Sequence, residues 1–86
     1  MKHLTKHEAI DRMMLAQTNL IDVNFHSELL WTPSWDQYVL IIYLHKGDEC
    51  PQLPILMHPD FQSIVANLDE DNYYVKYTWN SETAEL

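Results

Sequence analysis

Glycine occurs once in this 86-residue chain, at Gly47, and cysteine once, at Cys50. A single glycine cannot build a phosphate-cradling P-loop, a Gly-x-Gly-x-x-Gly dinucleotide turn or the Gly-x-Ser-x-Gly elbow of a serine hydrolase. A single cysteine allows no internal disulfide and suits a reducing, cytoplasmic setting. Bases are scarce as well: five Lys and Arg stand against thirteen Asp and Glu, a formal net charge of −8. A binder of nucleic acid or of anionic membrane needs a cationic face, so this balance argues against both. The longest apolar run, Tyr38 to Leu44, is seven residues and too short to cross a bilayer. The opening Met-Lys-His-Leu-Thr-Lys-His-Glu places charges where a signal peptide carries its apolar stretch.

What remains is a chain with 47% apolar residues, ordinary for a globular fold and too many for disorder. Its length allows one small acidic domain, 1–86, burying roughly 64% of its unfolded surface. The charge is uneven. Residues 1–12 hold Lys2, Lys6 and Arg12 against Glu8 and Asp11, whereas from Gly47 onward one base, Lys76, faces eight acids. Those acids cluster as Asp48-Glu49, Asp69-Glu70-Asp71, and Glu82 with Glu85. Such a field repels polyanions and steers a basic surface inward at low salt.

Thr5 and Glu8 form the T-x-x-E capping box that opens a helix over about 6–17, with Leu4 and Ala9 as a weak staple. Ile10, Met13, Met14 and Gln17 fall on one helical stripe, with Leu15 pointing away and Glu8 and Arg12 at i,i+4 on the other side. From Ile21 to Trp31 the pattern alternates with period two, as in a half-buried strand or a short hairpin. Residues 35–46 carry conflicting signals. Ser34 and Gln37 offer a capping box and Gly47 a C′ residue, but the β-branched and aromatic content of Tyr38–Leu44 fits a central strand better. Ile55–Met57 after Pro54 reads as a short edge strand. Pro59, Asp60 and the stripe Phe61, Ile64, Val65, Leu68 read as a second helix over 59–68. Tyr73, Val75, Tyr77 and Trp79 alternate as a final strand, and residues 81–86 as a loose tail. The resulting expectation is an α+β fold: a two-layer α/β sandwich in the order α-β-β-β-α-β, its four-stranded, mostly antiparallel sheet carrying two helices on one face.

No strong catalytic signature is present. His3, His7, His26, His45, His58 and Cys50 match no compact zinc spacing, so surface histidines are preferred over a metal site, with His58 as a cap of the second helix. The acids flanking Cys50 favour its thiol over its thiolate. Acid pairs in loops read as solvated rather than as general acid–base pairs. Of the aromatics, Phe25, Phe61 and Trp79 belong to the core. Trp35, in the turn after Pro33, and Tyr74, opposite the Tyr73–Trp79 stripe, are the residue types that anchor interfaces. Asp69-Glu70-Asp71 follows the expected helix 59–68 at its negative dipole end, a local rule broken, although a hydrated turn explains it too.

These readings converge on a small non-enzymatic acidic binding protein that needs no cofactor or metal. It inhibits or regulates a basic, nucleic-acid-binding protein, such as a nuclease, by presenting carboxylates where phosphates would sit. The expected contact residues are Asp48, Glu49, Asp69, Glu70 and Asp71, with Trp35 and Tyr74 as anchors. Immunity proteins to nuclease toxins and phage-encoded nuclease inhibitors resemble it in size and charge only, an analogy of class that points to a bacterial or phage setting. The competing expectation is a homodimeric structural or accessory subunit, paired through an open sheet edge and acidic only for solubility.

Overall fold

The structure, a computed structural model, describes residues 3–34 and 37–79. Trp35 and the tail 81–86 lie outside the described residues. Helix α1, Lys6–Asp22, precedes four strands: β1, His26–Thr32; β2, Gln37–His45; β3, Phe61–Asn67; and β4, Asn72–Trp79. A single 3-10 turn, Pro54–Leu56, lies between β2 and β3. The sheet order is β1-β2-β4-β3, and every neighbouring pair is antiparallel.

Helix α1 starts where the capping box places it. The Thr5 hydroxyl accepts from the Glu8 N–H at 3.1 Å, and the Glu8 carboxylate accepts from the Thr5 N–H at 3.0 Å. It runs five residues beyond the expected Gln17, to Asp22. Asn24, at φ 63°, then turns the chain, a left-handed conformation that asparagine tolerates better than most residues. The alternation of Ile21–Trp31 therefore becomes strand only from His26 on. The buried stripe is Ala9, Met13, Ala16 and Leu20. Of the expected stripe Ile10, Met13, Met14 and Gln17, Met13 is buried, Ile10 and Gln17 are half-buried and Met14 is 52% exposed, so the true stripe is rotated from the expected one. Ala9 and Ala16, which carry no side chain beyond Cβ, are almost fully buried in the true stripe.

The apolar run at 37–45 is a strand, in keeping with its β-branched residues. Leu40, Ile42 and Leu44 face the helix and are almost fully buried. Register aligns Leu40 with Leu29 and Tyr77, and Ile42 with Ser27 and Val75, so one sheet face forms the core.

Two expected elements are corrected. Ile55–Met57 is no strand: Pro54 opens a 3-10 turn, and Leu56 and Met57 donate back to the Leu53 and Pro54 carbonyls. Residues 59–68 are no helix either. His58–Asp60 form a turn and 61–67 pair with β4 as strand β3. Among the described residues the second layer is thus one helix plus the 46–60 connection. That connection contributes Leu53 and Leu56 to the core and is fastened to α1 by the Arg12 guanidinium, which donates to the Ile55 carbonyl at 3.1 Å. The order is α-β-β-β-β. In the sheet β4 lies between β2 and β3. No described helix is long and apolar enough to cross a membrane.

Candidate functional site

The hairpin strands β3 and β4 are joined by Leu68–Asp71, and the β2 strand leaves the same end of the sheet through Lys46–Glu49. Both acidic segments therefore sit side by side. The Lys46 N–H donates to the Asp71 carbonyl at 2.8 Å, and the Tyr73 hydroxyl donates to the Asp48 carbonyl at 2.6 Å. Gly47, at φ 97°, provides the left-handed step that tightens the first loop, where Asp48 N–H bonds the His45 carbonyl at 3.0 Å. Asp48, Glu49, Asp69, Glu70 and Asp71 are all exposed. None of the Asp48, Glu49, Glu70 or Asp71 carboxylates forms an ion pair with a described lysine, arginine or histidine.

Asp69 differs from its neighbours. Its carboxylate accepts from the backbone N–H of Asp71 and of Asn72, each at 2.8 Å, and from the Asn72 side chain at 3.0 Å. The Asn72 amide, the Asp71 and Asn72 N–H groups and the charge of Lys46 together outweigh the opposing effect of burial and hold its pKa below the usual carboxylate value. Asp69 therefore shapes the turn, and Glu70 and Asp71 present the charge. The turn follows a strand, so the expected clash with a helix dipole does not arise.

A helix dipole acts here from elsewhere. The C-terminus of α1 opens at this end of the sheet, since Asp22 leads within four residues into His26, which pairs with Tyr43. The last turn carries Asp22 and no base, so the negative pole of the helix adds to the acidic loops. Cationic Lys6 sits at the other end, its ammonium 5.3 Å from the Trp31 ring centroid. Trp31 is five residues along β1 from His26, about 17 Å at strand rise and beyond a Debye length of ~8 Å. The two acidic loops and the helix C-terminus thus share one end of the strands, and Lys6 lies toward the other.

Tyr74 lies, as its alternation predicts, on the sheet face away from α1, half-buried and directly across from Tyr43. Tyr43 in turn packs on the exposed His26 ring at 5.1 Å between centroids. His26, Tyr43 and Tyr74 form a row across β1, β2 and β4 next to the acidic rim. Partial burial, then the nearby Glu28 carboxylate and Tyr74, push the Tyr43 hydroxyl pKa up, keeping it neutral. Shallow depressions bordered by His26, Tyr43, Leu44 and His45 reach Asp69 and Asn72 on one side and Asp48 and Glu49 on the other. The sequence reading took His26 and His45 only as surface histidines and did not place them, Tyr43 or Asp22 among the contact residues. Their common signal is register, which places them at one end only once the strand pairing is known.

Burial pushes the Cys50 thiol pKa up, and its sulfur lies 3.7 Å from the Pro51 carbonyl. No group of three His, Cys, Asp or Glu able to hold a metal occurs among the described residues. His58 caps no helix. Its Nδ1 accepts from the Asp60 N–H at 3.0 Å in the turn before β3. Of the expected core aromatics, Phe61 and Trp79 are buried and Phe25 packs against the core. Comparison with protein-family models, with curated proteins and with solved structures found no match to this chain.

Proposed function

We propose that this protein is a non-enzymatic binding module that inhibits or regulates a basic, nucleic-acid-binding protein by docking its acidic sheet end on the partner's phosphate-binding surface. One observation carries the reading. Acids separated by twenty residues of sequence converge on two hydrogen-bonded loops, with Lys46 the only base in either. Four of the carboxylates are not consumed by ion pairs within the described protein, so their charge is directed outward. Carboxylates on two adjacent loops offer a cationic groove negative charge of the kind a phosphate backbone carries. His26, Tyr43 and Tyr74 supply the partly desolvated contact that turns steering into residence, since aromatic anchors inside a polar rim dominate interface energetics. The bacterial or phage setting and the nuclease as partner belong to the same proposal and rest on charge class alone.

The test pairs the native chain with a variant carrying Asp48→Lys, Glu49→Lys, Glu70→Lys and Asp71→Lys, leaving the structural Asp69 in place. Immobilised native protein is expected to capture a basic protein from its host, and rising salt and added duplex DNA are expected to release it. The variant is expected to bind at least ~100-fold more weakly, most of it in association rate. Capture that survives both charge reversal and DNA competition overturns the proposal.

A further inference from the structure

The two sheet edges differ in a way the acidic end does not explain. The outer edge of β1 carries His26 and Glu28, with Lys6 over Trp31 at its far end. Charged side chains on an edge are a common guard against strand addition. The outer edge of β3, Phe-Gln-Ser-Ile-Val-Ala-Asn, has no charge, no proline, no glycine and no break in its pairing to β4. Gln62 to Val65 are exposed, Ile64 at 49% and Val65 at 66%, one on each face of the sheet. An unguarded edge flanked by apolar groups on both faces is a template for a further strand.

We propose that this edge pairs with the same edge of a second copy, antiparallel and centred on Ile64, joining two sheets of four strands into one. The charge of the molecule selects both the occupant and the orientation. A basic partner finds no carboxylate on β3 to read, whereas a second copy brings an equally uncharged strand. Pairing all seven residues places Phe61 opposite Asn67 of the second copy, Gln62 opposite Ala66, Ser63 opposite Val65, and Ile64 against Ile64 across the two-fold axis. No acid then faces an acid. The acidic turn 69–71 follows β3 directly, so parallel pairing would set two such turns side by side. Antiparallel pairing separates them by the strand length, about 24 Å, well past the ~8 Å screening length. The acidic ends stay free at opposite ends of the dimer, so this inference stands independently of the proposed partner.

Sedimentation velocity of the full chain, over a concentration and salt series, tests it. A reversible dimer is expected at tens of micromolar, tightening as salt screens the repulsion between two chains of charge −8. Salt acts in the opposite direction on docking to a basic partner, which separates the two proposals. Ile64→Lys and Val65→Lys, both at exposed positions, are expected to weaken dimerisation at least tenfold, with far-UV circular dichroism unchanged. Leu30→Lys on the β1 edge and the four-fold charge reversal are expected to leave the dimer intact. A monomer at every concentration and salt, a dimer lost in Leu30→Lys but kept in Ile64→Lys, or open-ended assembly overturns the proposal.

Discussion

The Tyr73 hydroxyl donates to the Asp48 backbone carbonyl at 2.6 Å across twenty-five residues of sequence. With the Lys46 N–H bond to the Asp71 carbonyl, it ties together two acidic loops that the pairing of β2 with β4 brings to one end of the sheet. Tyr73 begins the buried alternation of β4, so its ring is held by the core edge while its hydroxyl reaches the loop. Tyr73→Phe keeps the ring and removes the bond. It is expected to cost about 1 kcal/mol in chemical denaturation, the net worth of one hydrogen bond, with faster amide exchange in 46–49. Unchanged stability and exchange would mean that the loops are positioned by the backbone bond alone.

The phase of α1 is the second measurable claim. Met13 is 1% exposed and Met14 is 52% exposed, although the two are adjacent and chemically identical. Met13→Ala is expected to destabilise the fold by about 2–5 kcal/mol through lost burial and a residual cavity, and Met14→Ala by less than about 0.5 kcal/mol. Equal effects in urea unfolding would show that the helix is rotated toward the stripe read from sequence.

That rotation illustrates what was legible in the sequence and what was not. The capping box of Thr5 and Glu8, the β-branched run of β2 and the alternation of β4 are local signals, and each element appears where its signal lies. Phe61, Ile64, Val65 and Leu68 match helical spacing equally well, but burying that stripe would require a helix. The chain instead pairs 61–67 with β4, leaving Ile64, Val65 and Leu68 exposed. A hairpin signal was available in the Asp- and Asn-rich turn between two apolar runs. It competed with Pro59-Asp60, a good helix start, and long-range pairing decided. For the candidate site, the clustering of acids within each loop was readable, and so was the outward position of Tyr74. The adjacency of the two loops was not, because it depends on β4 lying between β2 and β3.

Asp60 supplies a pH dependence with a definite sign. Its carboxylate is fully buried and accepts from His3 Nδ1 and from the Leu4 N–H, each at 2.7 Å, tying the N-terminal segment to the turn before β3. Burial pushes its pKa up, but the His3 hydrogen bond, the Leu4 N–H and the charge of His3 outweigh it, and the net pKa lies below the usual carboxylate value. A carboxyl held below its unfolded pKa of ~3.9 stabilises the native state above that pH and loses the contribution as pH falls through its folded value. Wild-type stability is therefore expected to fall steeply below about pH 4. Asp60→Asn keeps the shape but cannot accept both bonds as an anion, and is expected to lower Tm by roughly 5–10 °C at neutral pH. Its difference from wild type is expected to shrink as the medium is acidified. A difference that stays constant from neutral pH to about pH 2 would mean that the Asp60 charge contributes nothing and that the carboxyl acts through shape alone.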